Sequence, residues 1–154
     1  MTQSDPMFWQ RLVRQAEGLL SVSSNRITNA ANLSALLFQE MDGVSWAGFY
    51  LLDGDKLLLG PFQGKPACVS IDMGKGVCGS AAKSGKTIRV ADVDKFDGHI
   101  ACDSASRSEI VVPLFKNGRL LGVLDLDSTS YDRFSATDET GLNALAQVYL
   151  DSIE

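Results

Sequence analysis

The sequence predicts an α+β domain, a central antiparallel sheet with helices from both ends of the chain packed against it. Three observations predict it. Apolar residues recur at helical spacing in two segments before residue 42 and in one after residue 136. Between them the pattern shortens into alternating runs, and two of the breaks, Asp53-Gly54 and Asn117-Gly118, are hairpin signals. Strands joined by tight hairpins are antiparallel, whereas parallel neighbours need a long crossover.

Ser4-Asp5-Pro6 opens the first helix: a capping side chain, then a proline whose missing N–H costs nothing there. Phe8, Trp9, Leu12, Val13, Ala16, Leu19 and Leu20 mark its apolar stripe. Ser23-Ser24-Asn25 starts a second helix, with Ile27, Ala30, Leu33, Leu36 and Leu37 inward, and Asp42-Gly43 ends it after about Met41. Residues 45–52 alternate, Trp46, Gly48 and Tyr50 on one face and Ala47, Phe49 and Leu51 on the other, and Lys56–Leu59 returns. Short strands near Val69–Ile71 and Thr87–Val90 flank a small helix near Val77–Ser84. Residues 91–108 show no periodicity, and a structureless stretch of that length in a small domain is functional or disordered. Glu109–Phe115 and Leu120–Asp127 form a second hairpin, and Ser135 or Thr137 caps a last helix with Leu142, Leu145, Ala146 and Val148 inward. The expectation is one domain over residues 1–154, with helices over about 5–41, sheet and loops over about 45–128, and a final helix over about 137–152.

Composition narrows the function. A chain of 154 residues, 45% of them hydrophobic, can bury its core without disulfide staples. Fourteen Lys+Arg against nineteen Asp+Glu leave a net charge of −5, the wrong sign for binding nucleic acid or an anionic membrane surface. No apolar run approaches the ~18 residues of a spanning helix, and the N-terminus does not read as a secretory signal. The expected location is the cytoplasm, with the three cysteines reduced and in need of a purpose.

Cysteine is often a small buried hydrophobe, and packing explains Cys78 in its small-residue helix start, Gly-Val-Cys-Gly-Ser-Ala-Ala. Cys102 differs: it lies in the irregular segment His99-Ile100-Ala101-Cys102-Asp103 among polar neighbours, where a thiol is a candidate nucleophile. Cys68 follows Gly64-Lys65-Pro66-Ala67, also in a turn. Two loop cysteines suggest attack and resolution, one sulfur reacting and the other forming a disulfide with it. Three Cys and one His could in principle hold zinc, but no Cys-x₂₋₄-Cys pair exists and His99-x₂-Cys102 is weak, so no metal and no other cofactor is expected. His99 reads as loop structure rather than as a base, because its spacing from Cys102 fixes no ring orientation.

Asp125-Leu126-Asp127 puts two carboxylates on one face of a strand, and Glu109 opens the partner strand. Carboxylates crowded in a partly apolar pocket repel, so at least one has its pKa raised and can donate a proton, while an ionised neighbour can hold a cation such as an α-ammonium. The bland reading is a solvent-facing acid pair. Trp46 and Tyr50 share a face and form either an aromatic wall or ordinary core. Gly74-Lys75-Gly76-Val77-Cys78-Gly79 has dinucleotide-fingerprint spacing without the βαβ context, and reads as a tight turn at a helix start.

Together these residues resemble the free methionine-(R)-sulfoxide reductase family, enzymes built on a single GAF domain. The resemblance is carried by Trp46-Ala47-Gly48-Phe49-Tyr50, Gly60-Pro61-Phe62-Gln63-Gly64, Pro66-Ala67-Cys68, Gly76-Val77-Cys78-Gly79, Gly98-His99-Ile100-Ala101-Cys102-Asp103, Ser108-Glu109-Ile110-Val111-Val112-Pro113 and Leu124-Asp125-Leu126-Asp127-Ser128. It implies a GAF-like fold with the N- and C-terminal helices on one face of the sheet. It implies Cys102 as nucleophile, Cys68 as resolving thiol in a Cys68–Cys102 disulfide that thioredoxin reduces, and Cys78 as auxiliary thiol. It also implies that Glu109, Asp125 and Asp127 hold the substrate ammonium and polarise or protonate the sulfoxide oxygen, with Trp46 and Tyr50 receiving the S-methyl end. The implied substrate is free methionine-(R)-sulfoxide, and a homodimer through the first helix is compatible with the sequence. Phe134-Ser135-Ala136-Thr137-Asp138-Glu139 is similar to part of the signature of cyclic-nucleotide-binding GAF domains, but is equally a capped helix start. The alternative is a small-molecule-binding or redox-sensing GAF module without turnover.

Overall fold

Asp5 accepts a hydrogen bond from the Met7 amide at 2.9 Å and starts α1 (Pro6–Leu20) in the computed structural model, which describes residues 5–100 and 102–154. Ser4 and Ala101, both named in the motifs above, lie outside the described residues. Asn25 caps α2 (Arg26–Glu40) by accepting from the Ile27 and Thr28 amides. The sheet strands are β1 (Trp46–Asp53), β2 (Lys56–Gln63), β3 (Ser70–Asp72), β4 (Ile88–Val90), β5 (Ser108–Lys116) and β6 (Arg119–Ser128). Helix α3 (Gly76–Ser84) separates β3 from β4, a 3₁₀ turn (Val93–Lys95) opens the irregular segment, and α4 (Ala136–Ser152) closes the chain.

The six strands lie in the order β3-β2-β1-β6-β5-β4, every pair antiparallel. Strand alternation sorts the side chains into two apolar clusters, one on each face. Phe49, Ile110, Val112, Leu124 and Leu126 meet α1, α2 and α4 on one face; Trp46, Tyr50, Val111 and Val123 meet α3 on the other. The N- and C-terminal helices thus share a face, as the sequence implies, and the opposite face is left for α3 and the loops.

The α1 stripe is narrower than its sequence suggests. Phe8, Trp9, Leu12, Ala16 and Leu20 are buried, whereas Leu19 sits one position (about 100° of helix rotation) from Leu20 and is exposed. Ile27, in the first turn of α2, is also exposed. Helix α1 packs its stripe on α4 and α2 within the chain. Two buried polar residues of α2 replace apolar packing with specific bonds. Asn29 Nδ2 donates to the Ser23 carbonyl at 2.7 Å and to Ser152 Oγ at 3.0 Å, tying the α1–α2 turn to the end of α4. Ser34 Oγ donates to the Ala30 carbonyl at 2.7 Å.

Both ambiguous motifs are structural. Gly74 N donates to the Gly79 carbonyl at 2.8 Å, and a Cβ on Gly79 would run into the Asp72 carbonyl, so the glycines close a turn. Ser135 and Asp138 form a capping box, and Asp138 also accepts from Trp9 Nε1 at 3.3 Å and from Arg133 at 3.0 Å. Gly141 faces that same Trp9, and any Cβ there would overlap the indole. Gly141→Ala therefore costs about 1–3 kcal/mol by overpacking, although alanine alone would favour a helix by roughly 1 kcal/mol. A lowered melting temperature checks the contact; a raised one would contradict it.

Candidate active site

The site lies on the α3 face and is built by strand register. Trp46 of β1 pairs with Asp127 of β6, Asp127 pairs with Glu109 of β5, and Glu109 pairs with Val90 of β4. One row across four strands therefore holds Trp46, Asp127 and Glu109 side by side. In the next row on the same face, Asp125 lies between Gly48 and Val111. Like charges directly opposed across strands destabilise a sheet, so this row is a cost the fold bears for another reason.

Glu109 and Asp125 are 7% and 4% exposed, and Asp127 is less completely covered. Burial, then the charge of Asp125, pushes the Glu109 carboxyl well above the ordinary range. Burial, then Asp127, does the same for Asp125; burial, then Glu109, for Asp127. Three such groups share protons instead of all ionising. Asp125 shares side-chain hydrogen bonds with Glu109, Cys78 and Asp127 inside the cluster.

Cys78, at the first turn of α3, points its Sγ at Glu109 Oε2 across 3.9 Å. Burial and then Asp125 push this thiol up, so it stays protonated. Packing, the sequence reading of Cys78, accounts for its burial, but its acidic neighbours 31 and 47 residues away were not legible locally.

Cys68 and Cys102 are joined as a disulfide with Cα atoms 5.4 Å apart, bridging the loop after β2 to the irregular segment before β5. The two sulfurs are not equivalent. Cys102 lines the pocket with Trp46, Tyr50, Cys78, Glu109, Asp125 and Asp127, whereas Cys68 is not among its lining residues. The pocket is small, with a cavity volume of about 50 Å³, and opens to solvent. His99 and Asp103 also border it, and among the described residues no hydrogen bond ties the His99 ring to Cys102.

The aromatic wall does more than its sequence pattern shows. Trp46 stacks on Tyr50 with centroids 5.9 Å apart and on Phe62 at 5.1 Å. Trp46 Nε1 donates to the Lys65 carbonyl at 3.1 Å, and the Tyr50 hydroxyl donates to the Cys68 carbonyl at 2.9 Å. The same two rings thus line the pocket and fasten the Cys68 loop to the sheet. All eight residues singled out from the sequence (Trp46, Tyr50, Cys68, Cys78, Cys102, Glu109, Asp125 and Asp127) meet in or against this one cavity. Phe62, Asp103 and Ser106 were not singled out. No local pattern distinguishes them from ordinary loop and strand residues.

Comparison with known proteins decides the family. The GAF domain family description matches residues 28–154. The chain is 50% identical over 138 residues to the free methionine-R-sulfoxide reductase of Escherichia coli, covering 90% of this chain and 84% of that protein. The chain belongs to the free methionine-R-sulfoxide reductase family of GAF-domain proteins.

Solved reductase structures agree. The Neisseria meningitidis free methionine-R-sulfoxide reductase, in complex with its substrate, superposes with a TM-score of 0.91 at 44% identity, covering 94% of this chain and 87% of that one. The Staphylococcus aureus fRMsr in its reduced form superposes with a TM-score of 0.92 at 46% identity, covering 95% of each chain. In this reductase-family chain, the described helices include none long and apolar enough to cross a membrane.

Proposed function

We propose that the protein reduces free methionine-(R)-sulfoxide to methionine by thiol chemistry, with Cys102 as nucleophile, Cys68 as resolving thiol and thioredoxin as electron donor. The observation that carries this reading is the asymmetry of the disulfide: Cys102 borders the acid-floored pocket and Cys68 does not. The named activity of the relatives supplies the substrate and its R configuration.

The reaction begins with the Cys68–Cys102 bond reduced. The substrate ammonium sits against the ionised members of the Glu109–Asp125–Asp127 cluster, and the S-methyl end against Trp46 and Tyr50. The substrate carboxylate takes the free N–H groups at the start of α3, where no side chain caps the helix. The Cys102 thiolate attacks the sulfoxide sulfur while a protonated carboxyl of the cluster gives its proton to the oxygen, because unprotonated oxide is a very poor leaving group. The S–O bond breaks and the protonated oxygen leaves as water, which leaves Cys102 bonded to a sulfonium. Water then attacks the Cys102 sulfur, the S–S bond breaks with its electron pair going to the methionine sulfur, and methionine departs as Cys102 becomes the sulfenic acid. The Cys68 thiol displaces water from that sulfenic acid and forms the disulfide; two electrons and two protons from a dithiol restore both thiols. Cys78, protonated beside Glu109, is an auxiliary group of the acid cluster. No metal or organic cofactor enters this cycle. The cycle needs a reducing compartment, and the cytoplasm is the proposed location.

The test is incubation with free methionine-(R)-sulfoxide and dithiothreitol, followed by assay of free methionine. Catalytic release supports the reading; binding without release would favour a redox-sensing module. Cys68→Ser separates the two thiol roles. It gives one methionine per protein and then stops with thioredoxin as sole reductant, whereas unchanged thioredoxin-dependent turnover would remove Cys68 from resolution.

A further inference from the structure

We infer that Tyr50 and Trp46 are positioning residues for the thiol pair: their hydrogen bonds hold the Cys68 loop as the fixed half onto which the Cys102 segment closes its disulfide. That Cys68 resolves a sulfenic acid rests on the reductase reading, whereas the anchoring of its loop does not.

Residues 64–68 form no helix or strand, yet the stretch is tied to the sheet at three carbonyls. The Tyr50 hydroxyl donates to the Cys68 carbonyl at 2.9 Å, Trp46 Nε1 to the Lys65 carbonyl at 3.1 Å, and the Leu59 amide to the Val69 carbonyl at 2.9 Å. A Cβ on Gly64 would run into the Trp46 indole, so the loop also lies directly on that ring. Tyr50 is 2% exposed, and burial and then the charge of Asp125 push its hydroxyl above the ordinary range, so it stays a donor at any working pH.

The Cys102 side is built differently. Among the described residues, 97–102 make two backbone hydrogen bonds, His99 N to the Phe96 carbonyl and Cys102 N to the Ile100 carbonyl, and none to the sheet. Opening the disulfide leaves Cys68 anchored and the Cys102 segment held by its own local turns. An anchor that keeps one thiol where the other must meet it raises the effective concentration of the pair and favours the disulfide. The bond lies on the cysteine's own carbonyl, so its loss is felt at Cys68 itself.

The experiment equilibrates the protein with glutathione and no sulfoxide, so that the part of Tyr50 in receiving substrate is not read. Protein disulfide and two glutathione thiols give protein dithiol and glutathione disulfide, and the exchange constant is measured by thiol trapping. Tyr50→Phe keeps the ring and deletes the donor, and it shifts that constant about fivefold toward the dithiol, the worth of one net hydrogen bond. Tyr149→Phe is the control. Its hydroxyl donates to the Arg26 carbonyl at 3.0 Å on the opposite face of the sheet, so its loss lowers the melting temperature and leaves the exchange constant within about twofold of wild type. An unshifted constant in Tyr50→Phe, or an equal shift in Tyr149→Phe, would overturn the anchoring. If Tyr50→Phe has no cooperative melt, Trp46→Phe, which deletes the Lys65 anchor, decides by the same criterion. A shifted constant in a protein that forms no methionine would leave the anchor standing and remove the reductase reading; an unshifted one in a protein that turns over would do the reverse.

Discussion

Cys102→Ser yields no methionine from free methionine-(R)-sulfoxide with any thiol reductant. A serine hydroxyl in that loop is a far weaker nucleophile than a thiolate. Neither remaining thiol substitutes. Cys78 is buried at 4% exposure with its thiol pushed up by that burial and by Asp125, so it offers no thiolate at neutral pH. Cys68 is not among the residues that line the pocket. The fold should not suffer, because Cys102 is exposed and the chain buries a full core on both sheet faces. The check is methionine release together with a melting curve of the reduced protein. Turnover near the wild-type rate would remove Cys102 from the chemistry.

Asp127→Asn and Glu109→Gln lower turnover by about 10²–10⁴-fold, the usual worth of general acid–base catalysis, and at the same time raise the melting temperature at neutral pH. The stability change follows from proton linkage. Both carboxyls are held above their ordinary values by burial and by each other, so the folded protein binds protons more tightly than the unfolded chain. Stability from this cluster is complete in acid, below the ordinary carboxylate range, and is lost as pH rises through the folded-state values. A neutral amide removes the opposed charge and that loss. The cross-strand repulsion is worth up to about 1 kcal/mol, or about 2–4 °C in a domain of this size. The melting difference between variant and wild type therefore shrinks toward acid. A variant that merely unfolds, or that loses stability at pH 7 while keeping its turnover, would make these acids structural.

How much of this was readable beforehand differs by element. The two hairpins, the capped helices and the inward faces of β1 and β6 follow from local pattern, because turn chemistry and period-two alternation are local physics. The sequence reading ends the returning strand at Leu59, before Gly60-Pro61, yet β2 runs to Gln63. A register shift opposite Gly48–Tyr50 absorbs the proline, which lacks an N–H for the ladder. Asn29 and Ser34, which the sequence reading of α2 does not name, are buried because their partners, Ser152 and the Pro61 carbonyl, lie 123 and 27 residues away. For the site, residue types and the i, i+2 acid pair named the participants. Their assembly depends on the register of β1 on β6 and β6 on β5, on α3 crossing that face, and on the Cys68 loop being fastened by Trp46 and Tyr50. None of those is a local property, which explains why the contact of Cys78 with Glu109 had no signal in the chain.

The most direct test is one turnover without a recycling reductant. Fully reduced protein is mixed with excess free methionine-(R)-sulfoxide, quenched, and analysed for methionine, free thiols and disulfide-linked peptides. One methionine per chain, two thiols lost and a Cys68–Cys102 peptide pair are the predicted result. Methionine formed without thiol loss, or thiols lost into a different pair, would contradict the account.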